Sequence, residues 1–169
     1  MDMTEKSLSQ LIEATRNNDG FAIALLGVCL VNHKVDVEGG VERIAFAADS
    51  KNVIWAKNIM LYLRGFKQWH LPIHEHALVD SDAKEQLLMY AAEQNVWAMT
   101  ILGELLWNGK VMPQNRDEAA VLLNRAADGG CLMAGELMSR YGIPARSTAV
   151  TDLVQRFKDK HLSKYWLKE

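Results

Sequence analysis

The densest group of side chains able to do chemistry is His70-x3-His74-x-His76, with Glu75 beside it. Three imidazoles this close could hold a zinc or nickel ion. On a helix His70 and His74 would share a face; in an extended segment His74 and His76 would. Pro72 argues against one regular helix through all three, and no fourth ligand is obvious in the sequence. The plainer alternatives are a histidine-rich loop packed on the core or solvated, or a pH-sensitive contact. A metal is therefore not expected; His70, His74 and His76 are kept as its candidate ligands, and no cofactor is expected. Phe66 and Trp69 precede the histidines. Aromatic residues are enriched at interface hot spots, and packing of the loop is the competing account. Carboxylates gather just downstream (Glu75, Asp80, Asp82, Glu85 and Glu93 against Lys84). They form either an acidic patch for a basic partner or a solvated helix face. Phe66, Trp69, His70, His74, His76, Asp82 and Glu85 are thus the expected protein-binding residues.

No catalytic residue is expected. The chain has no glycine-rich phosphate loop, no nucleophile elbow and no CxxC pair. Its end is basic (Arg156, Lys158, Lys160, Lys164, Lys168), but the interleaved Asp159 weakens a case for nucleic acid or membrane. Net charge is −2 over 169 residues, so there is no general pull toward polyanions. Hydrophobic content is 49% and charged content 24%, ordinary for a globular domain able to bury a real core. The two cysteines, Cys29 and Cys131, sit in apolar helical contexts and read as buried thiols. The first residues lack the apolar segment of a signal peptide, and no run reaches the ~20 apolar residues of a membrane span. The expected location is cytoplasmic.

Helical periodicity positions these residues. Leu8, Leu11, Ile12 and Ala14 make one stripe over 4–17. Residues 21–32 are apolar almost all round, as for a helix buried between neighbours. A loop over 33–40 ends in Gly39-Gly40, and a helix is expected over 41–49. Another runs from Asn52 to Gly65. Residues 66–80 break the pattern as a loop. Further helices are expected from Ser81 or Asp82 to Ala92, over 95–108, 116–128 and 131–141. A last one over 147–162 carries Val150, Leu153, Val154 and Phe157. Trp55 and Trp97 occupy matching positions and read as core.

Small residues recur at a fixed interval. Ala22, Ala56, Ala98 and Ala134 are separated by 34, 42 and 36 positions. A period in the mid-thirties marks stacked helix pairs, and the long middle interval places an insertion at 66–80. The stretch Ala98-x3-Leu102-Gly103-x2-Leu106-Trp107-x-Gly109-x-Val111-x5-Asp117-x-Ala119-x3-Leu123-x2-Ala126-Ala127-x2-Gly130-x3-Ala134 resembles the SEL-one-like repeat, a relative of tetratricopeptide arrays. One copy matches well; Ala22-x3-Leu26-Gly27, Ala56-x3-Met60-Leu61 and Ala134-x3-Met138-Ser139 keep parts of the pattern. The resemblance implies an all-α right-handed solenoid of about four antiparallel helix pairs, with an N-terminal capping helix (1–18), degenerate repeats (19–142), and a C-terminal helix and basic tail (143–169), in one domain. It implies protein–protein interaction without catalysis. The expected roles are a bacterial immunity protein that neutralises a toxin or effector with a basic surface, or a regulatory or secretion adaptor. The rival class is a metal-binding protein or metalloenzyme on the histidine loop.

Overall fold

The structure, a computed structural model, describes residues 4–66 and 68–145. It is all-helical. The helices are α1 (Glu5–Arg16), α2 (Gly20–Asn32), α3 (Val37–Ser50), α4 (Ile54–Gly65), α5 (Ser81–Ala92), α6 (Val96–Asn108), α7 (Arg116–Asp128) and α8 (Leu132–Tyr141). A short 3-10 turn, Ile73–Glu75, interrupts the 66–80 connection. No helix among the described residues is long and apolar enough to cross a membrane. The expected helix over 147–162 and the basic tail lie outside the described residues.

Six helices start on a side chain that closes their first turn. Asp19 accepts from the amides of Phe21 and Ala22, and Asn95 accepts from those of Trp97 and Ala98. Thr4, Asp36, Asp80 and Asn115 each accept one amide in the same way. Helices α4 and α8 follow Val53 and Cys131, neither of which caps them. Their first amides are closed from another helix. Gln86 Oε1, on α5, accepts from Ile54 N at 2.8 Å, and Gln10 Oε1, on α1, accepts from Leu132 N at 2.8 Å. The amide nitrogens of the same glutamines donate to the carbonyls of Asn52 and Gly130.

The core is built outward from α2 and α6. Ten of the thirteen residues in each are buried, and the two helices touch. Consecutive helices pack against one another, and α1 also reaches α8, so the first and last described helices meet. Ala22, Ala56, Ala98 and Ala134 all have zero exposure, each at the third position of its helix. Trp55 and Trp97 are buried as well.

Helix α3 begins at Val37, four residues before the expected start. Asp36 caps it, and the two glycines that read as a loop lie inside it. Packing supplies the reason. A Cβ on Gly27 would sit 2.6 Å from the Gly40 carbonyl oxygen, and one on Gly40 would sit 2.7 Å from that of Gly27. The helices cross backbone to backbone, where only glycine fits.

The two halves of the chain correspond. Adding 76 takes Thr4 to Asp80, Gln10 to Gln86, Leu11 to Leu87, Asp19 to Asn95 and Gly27 to Gly103. The trans-capping glutamines are one such pair, and so are the left-handed turn residues Asn18 and Gln94. The contact of α4 with α5 thus recurs as that of α8 with α1. At the latter, Glu136 accepts hydrogen bonds from the hydroxyls of Thr4 and Ser7.

Two outcomes test this packing. Gly27→Ala should cost about 1–3 kcal/mol by overpacking. Gly135→Ala on α8, where nothing lies within 4 Å of an added Cβ, should instead gain roughly 0.5–1 kcal/mol; denaturant unfolding reads both. At Glu136 partial burial raises the carboxyl's pKa, but the Ser7 and Thr4 hydrogen bonds outweigh it and hold the value below the ordinary 4.5. Its contribution is therefore full above pH 4.5 and fades as pH falls through the lowered native value. Glu136→Gln should flatten the acid limb of a stability–pH curve.

Candidate functional site

The 66–80 insertion is fixed from below by a buried polar chain. Ile73 N donates to Asn32 Oδ1 at 2.8 Å. That orients the Asn32 amide, so its Nδ2 donates to His74 Nδ1 at 3.0 Å. With Nδ1 accepting, the ring hydrogen resides on Nε2, which donates to Glu104 Oε1 at 2.8 Å. His74 is 1% exposed and Glu104 3%. The second Glu104 oxygen, Oε2, has no hydrogen-bond partner. Burial pushes the Cys29 thiol up to about 12, and the nearby Glu104 carboxylate adds to the rise. Tyr141 is likewise pushed to about 12, by burial first and Glu104 next. Glu104 is thus the one charged residue of α6 and it is buried, and the insertion brings its one hydrogen-bond partner among the described residues.

Above this anchor the loop is wrapped by α4. The Tyr62 hydroxyl accepts from His70 N at 2.8 Å, and Trp69 Nε1 donates to the Leu63 carbonyl at 2.9 Å. The Leu71–Pro72 peptide bond is cis. The Tyr62 ring stacks on His76 at 5.8 Å and tilts against Phe66 at 5.0 Å, while His70 lies 5.7 Å from His76. Lys110, on the α6–α7 turn, reaches Glu75 at 2.6 Å.

The expected binding residues divide accordingly. Phe66, His70 and His76 are exposed around Tyr62, and Trp69 is half-buried with its indole nitrogen used internally. His74 faces inward, so it offers nothing to a partner at the surface. The structure also does not bring the three histidines together: His70 and His76 are neighbours, and both His74 nitrogens are committed elsewhere. Among the described residues no three His, Cys, Asp or Glu side chains are arranged to hold a metal ion. Of the carboxylates, Asp80 caps α5 and Glu75 pairs with Lys110, while Asp82 and Glu85 remain exposed on the first turns of α5.

Reading the sequence for function missed Asn32 and Glu104. A signal for the second existed: a lone carboxylate within Ile101-Leu-Gly-Glu-Leu-Leu106, an apolar run, requires a partner from elsewhere. Beside the insertion lies an open cleft of about 450 Å3, lined by Val31, Lys34, Val37, Gln68, Trp69 and Leu71.

His74→Ala should destabilise the protein by about 3–5 kcal/mol, the cost of leaving one member of a buried ionisable pair. It should also speed labelling of Cys29 by a thiol reagent at pH 8, where the wild-type thiol is protonated and covered and should react only as the protein unfolds. A His74→Ala variant with wild-type stability and labelling would show that the bond does not hold the loop. Comparison with protein-family models, with curated proteins and with solved structures finds no match for this chain.

Proposed function

We propose that the chain is a non-catalytic protein-binding module, a short SEL-one-like array of helix pairs that works in the cytoplasm. On this reading it holds its partner at the outer side of the 66–80 insertion. One observation carries the placement. The insertion is pinned from within by a buried histidine, yet its outer side leaves Phe66 52% and Leu78 73% exposed. A loop held rigid and left apolar outside suits recognition, because a pre-ordered surface loses little entropy when it is covered. Asp82 and Glu85 flank that surface and favour a partner with basic groups. A toxin or effector neutralised by an immunity protein is such a partner; a regulatory or secretion adaptor would use the same face. The rival, a metal centre on His70, His74 and His76, would require His74 to leave both Asn32 and Glu104.

The reading is tested by capture from the native host, with wild-type protein and with Phe66→Ala and Glu85→Lys variants as bait. Each variant should lose most of a specific captured protein while keeping its melting temperature. Equal capture by all three would remove the insertion face as the binding site.

A further inference from the structure

The correspondence of the two halves shows one place where the described residues cover the surface and another where they do not. On the second half, Lys110-Val111 opens the turn between α6 and α7. The segment Glu75–Val79 lies across it. Glu75 Oε2 takes Lys110 Nζ at 2.6 Å, and Val79 N donates to the Val111 carbonyl at 3.3 Å. Along this segment Ala77 and Val79 are buried and Leu78 is exposed, the alternation of an extended strand. Val111 is left only 6% exposed.

On the first half the same dipeptide, Lys34-Val35, follows α2, 76 positions earlier. The α2–α3 connection (33–36) is shorter than the α6–α7 connection (109–115), and in both the Lys-Val step comes second and third, after His33 and after Gly109; the left-handed residue is Lys34 in the first and Gly109 in the second. Here Val35 is 73% exposed. No carboxylate among the described residues pairs with Lys34, and the 450 Å3 cleft opens beside it, apolar along Val31, Val37, Trp69 and Leu71. Largely apolar walls, with Gln68 as their one polar side chain and Lys34 as the one cation among the described lining residues, are complementary to an apolar segment carrying an acid.

We propose that Lys34-Val35 and this cleft form a second docking site, for an extended segment of a partner protein with a carboxylate four residues before an aliphatic side chain. The segment lies as Glu75–Val79 lies on Lys110-Val111: its acid on Lys34, its backbone amide on the Val35 carbonyl, and its alternate side chains against Val35 and the cleft wall. This is strand-like recognition in which the backbone bond supplies affinity and the alternate side chains supply specificity. It rests on the reading of the chain as a protein-binding module and gives that module a segment chemistry opposite in charge to the face at Asp82 and Glu85.

The probe is a fluorescent peptide copying residues 73–80, Ile-His-Glu-His-Ala-Leu-Val-Asp, titrated into the full chain and followed by anisotropy. Saturable binding to one site is expected. Lys34→Glu should weaken it about tenfold or more, as for a broken interfacial charge pair, and Val35→Asp should do the same; both positions are exposed, so folding should be unaffected. A peptide with lysine in place of its glutamate should bind the wild type poorly and regain affinity for Lys34→Glu. No saturable binding, or binding indifferent to both substitutions, would overturn the proposal. So would binding seen only after residues 1–3 are removed, because those residues correspond to 77–79 and would then be the occupant. In the capture experiment, a partner lost with Phe66→Ala but retained with Lys34→Glu would overturn this site and leave the module standing; loss with neither would overturn both.

Discussion

Two helices without a polar face have to be covered on every side, and the other helices are arranged to do it. α2 and α6 carry almost no group that water could serve, so each needs neighbours all round. They meet each other once, and the remaining sides are taken by α1 and α3 around α2 and by α5 and α7 around α6. Close approach is what makes the covering complete. At the α2–α3 crossing the two backbones touch through Gly27 and Gly40, and at the matching crossing Leu123 of α7 fills the space above Gly103. The second crossing replaces a backbone contact by a side-chain contact, so the two halves share a plan without sharing every residue.

The same demand explains the insertion. One acid, Glu104, sits in the run that must be covered, and a buried carboxylate without a hydrogen bond is far more costly than a buried leucine is favourable. Nothing on the flanking helices supplies its partner; His74 does, and Asn32 at the end of α2 sets the ring so that its hydrogen points at the acid. The insertion is therefore part of the core at one point and surface elsewhere. That combination fixes the positions of Tyr62, Phe66, His70 and His76 relative to the helices, which a loop of this length would not achieve by its backbone alone.

Much of this was legible in the sequence. The recurring alanines marked the helices that end up buried, and the long interval between Ala56 and Ala98 marked the insertion, because both follow from local spacing. What was not legible depends on contacts between distant residues. Gly39-Gly40 has the composition of a turn, and only the approach of Gly27 makes it the middle of a helix. His74 looks like its neighbours His70 and His76 in every local respect; it differs because Glu104, 30 residues on, faces it. The trans caps were hidden for the same reason: Val53 and Cys131 are poor residues to precede a helix until Gln86 and Gln10 arrive from α5 and α1.

The correspondence between halves also bears on where specificity can reside. Positions that match across the 76-residue shift are explained by packing, since the same buried contacts are needed twice. Function is better sought where matching positions have different surroundings. Lys34-Val35 against Lys110-Val111 is one such place: identical residues, one pair covered and ion-paired, the other open to solvent. Glu136 against Asn58, 78 positions apart on α8 and α4, is another. Glu136 accepts from two hydroxyls, while Asn58 leaves its amide nitrogen without a partner. In both cases the first half of the chain is the one left incomplete. At Lys34-Val35 that incompleteness lies at the surface, where an incoming segment can reach it.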